Sequence, residues 1–385
     1  MSTEKIFYSD SYISSFSATV TGCVKASDFY HITLNKTAFF FEGGGQKADT
    51  GFIGDAVVSD VHEIDGEIIH ICDRELEIGK EYSCSLDWET RFRRMQQHGG
   101  EHIVSGIVHS MYGYDNVGFH MEDDYVTVDF NGELTREQLD DVEDKANLAV
   151  CKNYDILCYF PAEEELTKLD YRSKLDLTEG VRLVKIENTD LCACGAPHLS
   201  KTGEIGTIKI LDFMRHRGGI RLVMKSGLDA VADYRNKYKS VYEISNLLSA
   251  KQGEITSAVE RLQGENEALF REYTAFKMSV ANDAKKSMSY TSKCAYLIVS
   301  NFDADMMREV ANFGMENSEL CLVFSGNDDA GYSYISCSKT LDMRSVAKDL
   351  NNALNGRGGG RDTMIQGKVS STENDIKNYI NSIGN

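Results

Sequence analysis

Residues 20–31 alternate loosely between apolar and polar side chains, and residues 57–72 form two β-rich runs around Asp65-Gly66. A period of two puts successive side chains on opposite faces of a strand, and an Asp-Gly pair suits the positive φ values of a tight hairpin. Residues 1–85 therefore read as short strands and turns forming a small β-barrel. Gly43-Gly44-Gly45 breaks the pattern where backbone must approach something closely. The period then changes. Across residues 88–112, Phe92, Met95, Ile103, Ile107 and Met111 keep helical spacing. Gly99 and Gly100 inside this helix cost about 1 kcal/mol each against alanine, which predicts another backbone or a ligand close by. Residues 125–130 alternate as a strand, 135–150 read as a helix, and 181–185 and 206–211 as strands. That mixture predicts an α+β domain.

From residue 228 to 288 the chain is strongly helical. Val241, Leu248, Ile255, Leu262, Leu269 and Phe276 recur every seven residues, as one seam position of a coiled coil does. The companion seam is poorer on either offset: Ile244, Lys251, Ala258 and Glu265, or Ser245, Gln252, Val259, Asn266 and Tyr273. Gly253 and Gly264 weaken it further. The expectation is a helical hairpin or a homodimer arm rather than one unbroken rod. Beyond Lys293, residues 296–300 and 320–325 read as buried strands and residues 303–313 and 343–354 as helices, followed by a Gly-rich loop. The chain thus divides into a β-barrel (1–85), an α+β domain (86–227), a helical arm (228–293) and a C-terminal Gly-rich α/β domain (294–385), within the usual sizes for single cores.

At 385 residues the chain is long enough for two to four such cores. No apolar run approaches the ~20 residues a membrane span needs, and Met-Ser-Thr-Glu-Lys at the N-terminus does not open a signal peptide. Ten cysteines without small-scaffold spacing read as reduced thiols. These features predict a cytoplasmic protein. A net charge of −19 argues at first sight against nucleic acid, but its distribution is uneven. Lys201, Lys209, Arg215, Arg217, Arg221 and Lys225 are opposed locally only by Glu204 and Asp212, and Arg91, Arg93 and Arg94 cluster before residue 98. Such patches either grip an anionic partner at one face or are solvated strand faces.

The sharpest chemical signal is a split set of metal-ligand residues. His98-Gly99-Gly100-Glu101-His102 puts two imidazoles one helical turn apart on one face. Cys194-Gly195-Ala196-Pro197-His198 supplies a thiol and a third imidazole from a loop. Three nitrogens and one sulfur form a set that suits Zn2+, one per chain. Four protein ligands normally close a structural site, so either one yields to substrate or the ion mainly shapes a pocket. Cys192 lacks the spacing to His198 and reads as a spectator. Glu101 is not placed as in a zincin, whose glutamate directly follows the first histidine. It either orients water near the metal or is an exposed acid.

The flanking motifs carry a resemblance. Thr37-Ala38-Phe39-Phe40-Phe41-Glu42-Gly43-Gly44-Gly45-Gln46-Lys47-Ala48-Asp49-Thr50-Gly51 resembles the Gly-Gly-Gln loop of alanyl-tRNA editing domains. Arg94-Met95-Gln96-Gln97-His98, Val117-Gly118-Phe119-His120 and the segment 194–206 continue that family in the same order. Gly356-Arg357-Gly358-Gly359-Gly360-Arg361 and Ile365-Gln366-Gly367 resemble the domain that ends alanyl-tRNA synthetases and also occurs in DHH-type phosphoesterases. With the editing motifs beginning inside the first fifty residues, the pattern is similar to free-standing, long-form alanyl-tRNA editing proteins. The resemblance implies His98, His102, Cys194 and His198 as zinc ligands, and zinc-dependent hydrolysis of Ser-tRNA(Ala), with Gly-tRNA(Ala) as a second substrate. It implies Gly44 and Gly45 against the aminoacyl-adenosine end, with the Gln46 amide and Glu101 acting on substrate or water. Asp49 would hold that loop in shape, and Thr37 would be structural. Arg215, Arg217, Arg221, Arg357 and Arg361 become candidate tRNA contacts, and ATP binding comes with the synthetase relatives. Two other readings stay open: a non-catalytic RNA-binding module with a structural zinc, and a DHH-type phosphoesterase, against which stands the lack of an Asp-His-His run.

Overall fold

The computed structural model describes residues 3–123, 125–173 and 180–384. The chain forms two compact units, residues 1–243 and 244–385. The boundary falls inside a helix, so the expected separate arm at 228–293 is divided between the units.

The first unit opens with a closed barrel. Its strands are β1 (Ser15–Ala26), β2 (Phe29–Leu34), β3 (Gly51–Ile53), β4 (Ala56–Ile64), β5 (Glu67–Cys72) and β6 (Glu81–Leu86), in spatial order β1-β2-β5-β4-β3-β6. Between β4 and β5, Asp65 and Gly66 have φ of 51° and 79°, the two positive values of a two-residue hairpin turn. Inward residues such as Val20, Ile32, Ile53, Val61 and Ile68 fill the barrel. His70 lies wholly buried among them, pushed down to about 4 by burial, with Nε2 2.8 Å from Thr37 Oγ1.

Helix α1 (Trp88–Tyr112) follows. Asp87 caps its first turn by accepting from Thr90 N at 3.2 Å, and Gly113 ends it in the left-handed conformation at φ 69°. The next elements are β7 (Asn116–Met121), β8 (Val126–Phe130), α2 (Arg136–Lys152), β9 (Ile156–Tyr159), β10 (Leu183–Ile186), β11 (Asp190–Ala193), β12 (Ile208–His216), β13 (Gly219–Ser226) and α3 (Gly227–Leu247). Thr135 and Gln138 close a capping box at the start of α2. An antiparallel sheet β12-β13-β8-β7 and a smaller one, β9-β10-β11, pack with α1 and α2 around one core.

Close packing explains the glycines of α1. A Cβ on Gly100 would lie 2.0 Å from Ser226 Oγ, and one on Gly99 would lie 2.9 Å from Ile205 Cδ1. The close neighbours are protein side chains from β13 and the loop before β12.

The second unit begins with the end of α3 and continues with α4 (Ile255–Lys285), β14 (Ser289–Tyr290), β15 (Cys294–Val299), α5 (Ala304–Asn317), β16 (Leu320–Asn327), β17 (Gly331–Cys337), α6 (Met343–Ala353), β18 (Gly356–Gly360), β19 (Met364–Val369) and α7 (Glu373–Gly384). Its sheet runs β14-β15-β16-β17-β19-β18, with β15 and β16 parallel across α5 and every other pair antiparallel. Helix is interrupted between Leu247 and Ile255, with Ser249 at φ 49°, so the seven-residue stripe does not run along one rod. On α4 the stripe residues Leu262, Leu269 and Phe276 are exposed. The Gly-rich segment expected as a loop is strand β18 at the sheet edge, where its glycines let the backbone lie against β19 beside Tyr334.

Candidate metal centre and the cavity around it

The set read from spacing meets in space. Ligand atoms of His98, His102, Cys194 and His198 all lie within 4.8 Å of one another. His98 Nε2 is 3.6 Å and His198 Nε2 3.3 Å from Cys194 Sγ. The three rings are mutually close, with centroids 4.8–5.2 Å apart. Helix α1 presents both of its histidines on one face, while Cys194 leaves the end of β11 and His198 follows it by four residues. The hairpin β10–β11 thus brings the loop onto α1.

Two neighbours fix the tautomers. Gln46 Oε1 accepts from His98 Nδ1 at 2.9 Å, and Asp190 Oδ2 accepts from His102 Nδ1 at 2.9 Å. An imidazole that donates through Nδ1 keeps its Nε2 lone pair for the centre. Arg172 clamps the Asp190 carboxylate from the other side at 2.7 and 2.8 Å. Burial would raise the Asp190 carboxyl, but the hydrogen bonds from His102 and Arg172 outweigh it and hold it below its ordinary value. Burial would likewise raise the Cys194 thiol. The surrounding imidazoles of His98, His198 and His102 instead hold it well below its usual range. Burial pushes His198 down to about 3. A thiolate is the charge state a metal requires of a cysteine ligand. Burial would lower His102, but its hydrogen bonds to Asp190 and Cys194 hold it well above its ordinary value, so it must give up its Nε2 proton to ligate. The donor set, its tautomers and its convergence therefore fit a four-ligand zinc site.

A second cluster, His102, Asp190 and Cys192, also groups ligand atoms. Burial pushes the Cys192 thiol up to about 11, and Asp190 is already engaged by His102 and Arg172. Both facts make it the poorer metal site.

The centre forms part of the wall of a cavity of about 950 Å³, lined also by Tyr8, Gly44, Gly45, Glu101, Asn116, Phe119, Phe160 and Arg182. Gly44 and Gly45 have φ of 61° and 84°, and backbone hydrogen bonds run both ways between Gly43 and Gln46, so a tight turn faces the cavity. At Gly45 the close approach is to this chain: an added Cβ would lie 2.4 Å from Phe119 O. At Gly44 nothing lies within 4 Å of that position.

Several side chains are placed otherwise than the sequence reading had them. Gln46 is wholly buried and reaches His98. It is not among the cavity-lining residues. Glu101 is not an exposed acid: it is 4% exposed, and its Oε1 accepts from Ser105 Oγ at 2.6 Å and from Asn116 Nδ2. Arg91 leaves the basic patch altogether. It is buried against Asp49, itself tied to Phe40 N at 2.6 Å. Arg221 holds Asp129 through two hydrogen bonds at 2.6 and 2.7 Å, and Arg215 reaches Glu133 at 3.3 Å. Arg217 sits exposed at φ 47° in the turn between β12 and β13. In the second unit Arg357 is exposed on β18, and exposed Arg361 follows it. Asp190, Arg172, Tyr8 and Phe160 were not singled out from sequence, since no spacing links them to residues 98–102.

Comparison with known proteins agrees with this architecture. Residues 181–224 match the threonyl and alanyl tRNA synthetase second additional domain, and residues 291–384 match the DHHA1 domain. The alanyl-tRNA editing protein AlaX-L of Pyrococcus horikoshii is 27% identical over 97% of this chain and 96% of its own length. The alanine–tRNA ligase of Ignicoccus hospitalis is 27% identical over 93% of this chain, and that of Sulfurisphaera tokodaii 28% over 99%. The chain spans only 40% and 44% of those two ligases. Among solved structures, the C-Ala domain from Aquifex aeolicus alanyl-tRNA synthetase covers 26% of this chain at 15% identity with a TM-score of 0.22, too slight a likeness to bear on the fold. With a synthetase second additional domain, a DHHA1 domain and a relative matched end to end, the chain resembles the free-standing alanyl-tRNA editing proteins along nearly all of its length.

Proposed function

We propose that this protein is an aminoacyl-tRNA hydrolase that removes a wrong amino acid, serine or glycine, from tRNA(Ala). The observation that carries the reading is the convergence of three imidazoles and a thiol, of which His98, His102 and Cys194 line a cavity bordered by the Gly44–Gly45 turn. His98, His102, Cys194 and His198 would hold one Zn2+, which when bound polarises a carbonyl oxygen or activates a water. Gln46 and Asp190 keep the two helical imidazoles in the ligating tautomer. Glu101 borders the same cavity with its Oε1 pinned by Ser105 and Asn116. Held in place by these two side chains, Glu101 would orient the attacking water. Gly44, open on the cavity side, leaves room for the aminoacyl-adenosine end. An ester is activated already, and the chain needs only to place water and carbonyl together.

For tRNA contact, Arg217, Arg357 and Arg361 are the arginines of the candidate set for which no ion pair is found among the described residues. Binding through a few such cations suits an acidic protein that must release its partner. Exposed Leu262, Leu269 and Phe276 on α4 suit a homodimer contact. No helix among the described residues is long and apolar enough to cross a membrane, and we assign the cytoplasm as the working compartment. The DHHA1 match at 291–384 also suits a phosphoesterase relative, but the centre lies in the other unit and brings no Asp-His-His run. Incubation of the purified chain with Ser-tRNA(Ala) and with Ala-tRNA(Ala) tests the reading. Seryl ester should be cleaved and alanyl ester spared; a seryl ester as long-lived with protein as without it sinks the proposal. A metal-stripped sample separates the enzyme from an RNA-binding module, which would keep its tRNA affinity and have no activity to lose.

A further inference from the structure

At the rim of the cavity stands a pair of aromatic rings that neither the metal centre nor the barrel core uses. Phe160 follows β9 and is 53% exposed. Its ring meets Tyr8 edge to face, with centroids 5.5 Å apart at 80°. On Tyr8 lies the guanidinium of Arg182, 5.2 Å from the ring centroid. Arg182 is buried and donates from Nη1 to Cys194 O at 3.1 Å and to Ala196 O at 2.7 Å. The Tyr8 hydroxyl in turn faces the backbone at Gly195, 3.5 Å from where a Cβ would be. The rings are therefore tied through Arg182 to the loop that carries Cys194 and His198, and they stand at a fixed place relative to the centre.

We propose that Phe160, backed by Tyr8 and Arg182, is the stacking platform for the purine base of the nucleotide whose ester is cleaved. This rests on the hydrolase reading above and adds a nucleobase subsite to it. An exposed phenyl ring at the mouth of the cavity has no use for a serine or glycine side chain, which are too small to cover it. A purine has a π-face of the right size, and proteins that hold single-stranded ends without reading base edges do so by stacking on aromatic rings supported by arginine. With the ester at the His98–Cys194 centre, the base of that same nucleotide is the nearest apolar surface that tRNA offers to the rim.

A tRNA(Ala) carrying 2-aminopurine in place of its 3′-terminal adenine gives a direct readout, since stacking quenches that fluorophore. The full chain should quench it on binding. Phe160→Ala should abolish most of the quenching and raise the half-saturating tRNA concentration about 5- to 150-fold, the worth of one base–aromatic stack of roughly 1–3 kcal/mol. Phe160→Leu, which keeps apolar bulk without a π-face, should behave like the alanine variant, and Phe160→Trp should restore quenching. With Ser-tRNA(Ala), Phe160→Ala should raise KM while kcat stays within a few-fold. Binding without quenching by the unaltered protein, or quenching retained by Phe160→Leu, overturns the platform even if seryl ester is hydrolysed. Failure of the unaltered protein to hydrolyse seryl ester defeats the underlying reading instead.

Discussion

The buried ion pair Arg91–Asp49 gives a prediction whose size follows from its surroundings. The side chains are 0% and 2% exposed. Arg91 Nε donates to both Asp49 oxygens at 2.9 Å, Nη2 donates to Ala38 O at 2.7 Å and again to Asp49, and Nη1 reaches Ser11 O at 3.3 Å. Asp49 also accepts from Phe40 N. Helix α1 is thereby latched to the barrel segment that carries the Gly44–Gly45 turn. In Asp49→Ala the guanidinium stays buried without its counter-charge, a loss of about 3–5 kcal/mol. Replacing both partners, as in Arg91→Met with Asp49→Leu, removes the buried charge as well and should cost much less. Trp88 makes the measurement specific, being the only tryptophan of the chain, one turn before Arg91 and in ring contact with Tyr12 and Phe92. Its emission in urea reports the first unit alone. With a slope of about 1–3 kcal/mol per molar urea, the midpoint for Asp49→Ala should fall by about 1–5 M, and the double variant should recover most of that. A fall of under 0.3 M for the single variant, on the order of a surface change, would refute the reasoning. So would a double variant as unstable as the single one, because the cost would then lie in packing and not in the orphaned charge.

Other outcomes follow from the same geometry. Gln46→Ala and Asp190→Asn should each weaken zinc binding by roughly 10- to 100-fold in competition with a chromophoric chelator; unchanged affinity would show that neither side chain orients its imidazole. Cys194→Ala should lose copurifying zinc while Cys192→Ala retains it, and the reverse result would move the site to the His102–Asp190–Cys192 group. Arg217→Ala should lower the salt slope of tRNA binding by about one unit without altering the Trp88 unfolding midpoint. Arg221→Ala should leave that slope unchanged and lower the midpoint, since it takes from Asp129 the two hydrogen bonds that hold its carboxyl below its ordinary value. The stability from that depressed carboxyl is present above its unfolded pKa and is lost as pH falls through the folded value. The midpoint difference between Arg221→Ala and the unaltered chain should therefore shrink in acid, and a pH-independent difference would count against the pairing.

Much of the local structure could be read from the chain because local interactions make it. The period of the apolar residues from Phe92 to Met111, the Asp65-Gly66 turn and the Thr135–Gln138 capping box each involve residues within a few positions of one another. The i, i+4 spacing of His98 and His102 places them on one face in any α-helix. The Gly99-Gly100 pair signalled a close neighbour for the same reason, though not which one. Where the neighbour comes from elsewhere in the chain, the sequence was silent or misleading. Arg91 stands among other arginines in sequence, yet a barrel loop forty residues earlier makes it a buried partner of Asp49. Gln46 sits in a turn that suggests substrate contact, but the docking of that turn on α1 and β7 directs its amide to His98. Glu101 has the same composition-level appearance whether exposed or buried; Ser105 and Asn116 decide it. The seven-residue stripe from Val241 to Phe276 suggested a seam, and the interruption of the helix before Ile255 breaks it. Periodicity and capping are written in neighbouring residues. The direction of a polar side chain, and whether its charge meets water or a counter-ion, depends on which distant strand or loop packs over it, and only the tertiary structure decides that.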